Sequence, residues 1–418
     1  MSANTMGSRR LALGVLFFAP GVVIASWVTR TPAIRDALDA STAEMGLAMF
    51  GLAIGSMTGI LFSGSLVARF GTRPVLLLGA SGSALSLPVV AGGSMSGELL
   101  LVAIGLSICG LGLGSAEVAM NVDGGEVEQL TRRSFLPLMH GCFSLGTAVG
   151  AAIGMVLAAV ATPVAWHLFG ASAACLVGVL LAIGAIPRGV GQRLTSSPEQ
   201  PRRVPTMSSL LRDRRIQLIG VIILAMALAE GTANDWLPLI MVDGHGFDPA
   251  WSSGIFAIFA ISMTIGRFAG STLVNRLGRR VVLAVSGIAA GIGLAAVSFS
   301  PSPELAVAAV VLWGLGASLG FPVALSAAGD SGPDSAARLS LIATVGYIAF
   351  LVGPPVLGYF GEHLGLRAAL LIPFSLVAVA VAVTFLTPWD ARSEERLDAG
   401  TVPDIVDEGV AARQSPGT

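Results

Sequence analysis

The stretch Leu66-Val-Ala-Arg-Phe-Gly-Thr-Arg-Pro-Val-Leu-Leu77 returns 207 residues later as Leu273-Val-Asn-Arg-Leu-Gly-Arg-Arg-Val-Val-Leu-Ala284, with seven of twelve positions identical. Upstream, Ser56-Met57-Thr58 recurs as Ser262-Met263-Thr264 at an offset of 206. Each copy closes one long apolar run and opens the next. A basic turn repeated at matching places points to a duplicated bundle of helices.

The rest of the chain says which solvent that bundle folds in. Of 418 residues, 54% are hydrophobic and 12% charged, and the mean hydropathy is +0.81. That composition excludes an ordinary soluble domain. About 20 apolar residues span a bilayer as a helix. Runs of that kind fall at roughly 11–29, 44–68, 74–93, 98–121, 135–160 and 165–187, then at 216–239, 251–274, 281–300, 304–328, 339–360 and 367–388. The expected fold is an all-α membrane protein of twelve transmembrane helices in two six-helix pseudo-symmetric halves. The expected divisions are 1–187 and 216–388 for the halves, a cytoplasmic linker at 188–215 and a disordered cytoplasmic tail at 389–418.

Every basic residue is Arg. If the N-terminus is cytoplasmic, 20 arginines lie in cytoplasmic segments, three (Arg30, Arg35 and Arg367) lie outside, and Arg267 lies within a span. Basic loops stay in the cytoplasm, so both termini are expected inside. The first apolar run is followed by Thr29-Arg30-Thr31-Pro32 rather than a cleavage site, and reads as a retained span. Cys109, Cys142 and Cys175 all sit in apolar runs, against a disulfide framework or a metal cage.

The repeated turns have a mechanical logic. Gly71 and Gly278 permit a tight reversal, while Arg69, Arg73, Arg276, Arg279 and Arg280 hold it at the membrane surface and can bond helix-end carbonyls. The positive-inside rule would explain one such turn. Two at matching places predict a shared gating role.

These turns resemble the Gly-x-x-x-Asp-Arg-x-Gly-Arg-Arg loops of the major facilitator superfamily. Gly64 to Arg73 departs from the pattern at Ala68 and Thr72; the second copy has Ser271 and Asn275 in the Gly and Asp places. With both acids missing, inward closure is expected to rest on Arg-to-carbonyl bonds. Gly112-Leu-Gly-Ser-Ala-Glu117-Val-Ala-Met-Asn121, Phe321-Pro322-Val-Ala-Leu-Ser326 and Gly353-Pro354-Pro355-Val-Leu-Gly358 are similar to helices 4, 10 and 11 of the bacterial fucose-permease-like branch. That resemblance implies alternating access and a helix 4 Glu at the site. It also implies a sugar contact at His140, where the branch has Gln. Ile24 to Val28 lacks the branch's helix 1 carboxylate, so proton-coupled fucose transport does not simply carry over.

Charges at bilayer depth survive where they face a partner or a water-filled path. Glu117 lies six residues before Asp123, and His140 seven after Arg133; at 1.5 Å per residue both sit about 10 Å from the same surface. The pair could carry a proton, or be a packed hydrogen bond. Asn121, one turn from Glu117, is a cavity contact or a helix-to-helix bond. Glu230 and Asn234 share a face of the seventh span, with Asp235 beside them. Arg267 binds solute, balances Glu117 across the halves, or pairs within its own half. Trp27 is a stacking platform or an interfacial anchor. The Gly-Pro runs 314–322 and 346–355, with Phe321 in the first, mark broken helices where transporter sites form.

The expected function is secondary transport of a small polar organic solute, sugar-like, across the inner membrane and driven by protons. The alternatives are a drug or metabolite exporter on the same fold, or a non-transporting membrane sensor or assembly protein. No Gly-x-x-x-x-Gly-Lys-Ser/Thr or His-Glu-x-x-His pattern occurs, so neither an ATPase nor an enzyme is expected. Catalytic residues, metal and cofactors are expected to be absent. The expected partners are the solute, protons and lipid, with no nucleic acid, around a monomer.

Overall fold

The computed structural model describes residues 3–132, 135–192, 207–331, 335–387 and 389. The tail from 390 and linker residues 193–206 lie outside the described residues. The first six long helices are α1 (Ala3–Val28), α2 (Thr42–Phe70), α3 (Thr72–Ser96), α4 (Leu99–Thr131), α5 (Leu136–Ala159) and α6 (Val164–Ile183). After a short helix at Met207–Arg212 come α7 (Arg214–Leu239), α8 (249–277), α9 (279–299), α10 (Pro303–Gly329), α11 (Ser335–Leu364) and α12 (Leu366–Leu386). Eleven continuous segments are long and apolar enough to cross a membrane, and the 51-residue one, Pro249–Phe299, supplies two spans. The twelve expected spans are present.

What divides that segment is Gly278, at φ 77° and ψ 160°. Its repeat partner Gly71, between α2 and α3, has φ 83° and ψ 172°. Both occupy a backbone region that is essentially glycine-only, so each chain reversal depends on the missing Cβ. Polar caps fix other helix starts. Ser41 and Glu44 form a reciprocal capping box on α2, and Asp213, Asp248 and Ser302 accept from the first backbone N–H groups of α7, α8 and α10.

Three boundaries moved by five residues or more, and the first is the start of α1, at Ala3 instead of 11. α4 continues to Thr131, ten residues past the expected end at 121, because Gly124 and Val127 stay buried and Glu128 is used there. The Glu128 carboxylate accepts from Phe135 N at 2.6 Å and Leu136 N at 2.9 Å, satisfying orphan donors of α5. α7 runs on through a π turn, Ile240–Gly244.

The two sets of six helices meet where α5 packs on α8 and α2 on α11. Three of their direct bonds lie at the face away from the arginine turns. There Arg35 pairs with Asp243, Thr42 N donates to Glu362 Oε2 at 2.8 Å, and Ser253 Oγ donates to Thr29 O at 3.0 Å. α2 and α11 touch backbone to backbone, since a Cβ on Gly46 would fall 2.8 Å from Pro354 O. On the arginine-rich face, none of the described hydrogen bonds or ion pairs crosses between the two sets.

Each set is tied to itself on that face. Asp123, fully buried, accepts from Arg9 Nε at 2.8 Å and Thr72 Oγ1 at 2.7 Å, and Arg9 also pairs with Glu126. In the second set Arg279 pairs with Asp330, and Arg338 Nη1 with Asp213 Oδ2 at 2.7 Å. Asp123 and Asp330, like Thr72 and Arg279, are 207 residues apart. The acids absent from the turns are therefore supplied by α4 and α10. Arg69 stacks over Phe70 and Arg280 over Phe385, Arg73 lines a surface pocket with Arg188, and Arg276 is exposed.

Candidate functional site

Midway along the bundle, Arg267 on α8 reaches two helices at once. Its Nη2 donates to Glu230 Oε1 of α7 at 2.8 Å, and its Nη1 to Ser144 Oγ of α5 at 3.3 Å. The first bond stays within the second six helices; the second crosses to the first six. This is the deepest polar link between the two sets. The direct ion-pair partner of Arg267 is thus Glu230, within its own set of helices.

Glu117 on α4 is half-buried, and among the described residues it makes no hydrogen bond or ion pair. The Arg267 charge nevertheless acts on it and on His140 of α5, and Glu117 in turn acts on Tyr347 of α11. One layer therefore receives polar groups from α4, α5, α7, α8 and α11. His140 does not pair with Glu117 as the depth count expected. The ring of Phe17 on α1 meets it edge-on at 5.2 Å, and its side chain is exposed. Equal depth on consecutive helices does not make them neighbours: α5 packs on α1 and α8, and α4 on α2 and α3.

Asn121, Asn234 and Asp235 are half-buried and, among the described residues, carry no side-chain hydrogen bond. A carboxylate or amide at membrane depth with no protein partner needs water or a ligand. Phe321 of α10 leans on Phe350 of α11, ring centres 6.4 Å apart, and a Cβ on Gly346 would fall 2.5 Å from the Phe321 ring. The helices at this broken-helix pair are held close by aromatic packing, with part of the Phe321 ring left uncovered. Trp27 stands apart: it is 1% exposed and part of the apolar core, so no solute face reaches it in this conformation. An aromatic near a helix end looks the same in sequence whether it anchors, stacks or packs.

Ser144 and Tyr347 were not among the expected site residues, since a lone hydroxyl in an apolar run has no signature. The Asp123 and Asp330 network had one. The offset of 207 that links the turns also links these two acids.

A sequence profile of the Major Facilitator Superfamily matches residues 11–331 and 253–406. An uncharacterised transporter of that type from Yersinia pestis is 30% identical over 383 residues, spanning 90% of this chain and 96% of its own length. The nucleoside transporter NupG superimposes with a TM-score of 0.74 at 16% identity, covering 91% of this chain and 99% of its own. The fucose:proton symporter of E. coli gives 0.62 at 19% identity over 91% and 98%. Identities this low carry the fold and nothing finer.

Proposed function

Because the chain belongs to the Major Facilitator Superfamily, a family of transporters rather than enzymes, we propose that it moves a small polar, sugar-like solute across the bacterial inner membrane, coupled to protons. The observation that carries this reading is the unpaired, half-buried Glu117, set in a layer where Arg267 links the two sets of helices. A lone intramembrane carboxylate beside a cation that reaches both sets is suited to take up a proton when the layer rearranges. Glu117, Asn121, Asn234 and Tyr347 offer donors and acceptors for several hydroxyl groups, and Phe321 an apolar face. His140 adds a titratable contact.

The positive-inside rule makes the arginine-rich face cytoplasmic, with both ends of the chain on it. All the described inter-set bonds except the Arg267 link then lie on the outer side, which supports an inward-facing state. Residues 1–187 and 216–388 act as the rocking bodies, the segment 188–215 joins them and the tail 389–418 follows, in a monomer. Opening outward breaks Arg35–Asp243, Thr42–Glu362 and Ser253–Thr29. The turns built on Arg69, Gly71, Arg73, Arg276, Gly278 and Arg280 then come together on the cytoplasmic side.

Thermal-shift screening of the purified protein against sugars, nucleosides, organic acids and drugs tests the solute class, since a ligand bound only by the folded state raises its melting temperature. Sugars or nucleosides are expected to give the shift and to be taken up by proteoliposomes. A response confined to apolar cationic drugs would overturn the reading.

A further inference from the structure

Away from the central layer, the seam between α1 and α6 holds a buried cation with no counter-charge. Arg30, just past the end of α1, is 5% exposed, and His167, in the first turn of α6, is 3% exposed. Arg30 Nε donates to His167 Nδ1 at 2.9 Å. A ring nitrogen that accepts has no proton, so the imidazole is neutral and carries its hydrogen on Nε2. That Nε2 is buried with no partner, and so is Arg30 Nη2. Ser26 Oγ, four residues before Arg30, is also buried and unpartnered. Cys175 Sγ lies 3.6 Å from Ala19 O in the same seam. Two helical turns along antiparallel helices from that contact bring Ser26 level with the residues next to His167.

The acids nearby are committed elsewhere. Asp36 and Asp243 both pair with Arg35, and among the described residues no carboxylate pairs with Arg30. Arg30 Nη2 and His167 Nε2 can only donate, and a guanidinium keeps its charge inside a protein. Water would satisfy the donors and leave the charge uncompensated. A partner that only accepts and is itself negative answers both needs.

We propose that Arg30 and His167, with Ser26, bind a small monovalent anion of chloride size at a site separate from that of the transported solute. Thr29, next in the chain, accepts the Ser253 bond that joins the two sets of helices. Arg35, one turn into the short helix Thr31–Leu38 that follows, makes the pair with Asp243. The anion thus braces the segment that carries two of the contacts closing that face.

The test compares melting of the purified full chain in sodium chloride and in sodium gluconate at equal ionic strength. Chloride is expected to raise the midpoint with the logarithm of its concentration, by about 3 °C at a tenfold excess over its dissociation constant, and Arg30→Met to abolish the difference. Equal midpoints in the two salts, or a chloride response kept in Arg30→Met, overturn the proposal. If that variant does not fold, crystals of the unaltered protein in sodium bromide decide. An anomalous bromide peak within hydrogen-bond distance of Arg30 Nη2 is expected, and an ordered water alone at that place overturns it.

Discussion

Replacing Glu230 by Gln keeps the shape and an acceptor oxygen beside Arg267 and removes only the charge. The two side chains are 12% and 30% exposed, and their contact is 2.8 Å. With charge centres about 4 Å apart and an effective dielectric of about 20, the attraction is about 4 kcal/mol. Arg267 is open enough to regain hydration when its partner is neutral, which returns about half. The expected net loss is about 2 kcal/mol, a factor of about 30 in an unfolding equilibrium. Arg267→Gln alone should cost a similar amount by leaving Glu230 unpaired. The double variant should cost much less than the two together, because it leaves no orphaned charge in this pair. The assay is a double-mutant cycle on detergent-driven unfolding, followed by the fluorescence of the six tryptophans. Single-variant losses that add to within about 0.5 kcal/mol would refute the coupling and, with it, the place of Arg267 at the centre of the layer.

Asp123→Asn leaves Arg9, 1% exposed, with Glu126 alone, and is expected to cost about 3 kcal/mol in the same unfolding assay, against about 1 kcal/mol for Asp330→Asn at its half-exposed pair. Gly278→Ala places a Cβ at φ 77°, ψ 160°, and should lose about 2 kcal/mol although nothing lies within 4 Å to clash, as the melting temperature will report. At Asp213 burial pushes the carboxyl up, but the hydrogen bonds from Arg338 and from the backbone of Arg215 and Ile216 outweigh it and hold the group below its ordinary 3.8. A depressed carboxyl stabilises the fold above its unfolded value and loses that contribution as pH falls through the folded one. Melting curves below pH 4 should therefore separate the unaltered protein from Asp213→Asn, which lacks this acid-dependent loss.

The helices and their two sets of six were legible because a bilayer imposes one length and one composition on every span. The turn at Gly278 was legible for a different reason: its twin at Gly71 announced it. The site was read less well. Glu117, His140, Glu230 and Arg267 stand out as polar residues in apolar runs, but which of them touch depends on how helices pair across the bundle. The α5–α8 and α2–α11 contacts join residues more than a hundred positions apart, and no local pattern encodes them. The depth count placed Glu117 and His140 at one level and could not see that α4 and α5 turn to different neighbours. Nothing local in the sequence tells that packing covers Trp27, which is 1% exposed. Asp123 and Asp330 share the offset of 207 that links the turns, yet each looks like an ordinary helix-end acid until its Arg9, Thr72 and Arg279 partners are in place.

Proton coupling through Glu117 is tested most directly in proteoliposomes under an imposed pH gradient, using the labelled solute that gives the largest thermal shift. The unaltered protein is expected to accumulate that solute against its concentration gradient. Glu117→Gln is expected to fold and to exchange labelled for unlabelled solute across the membrane, but to show no pH-driven accumulation. Equal pH-driven accumulation by Glu117→Gln and the unaltered protein would contradict the account.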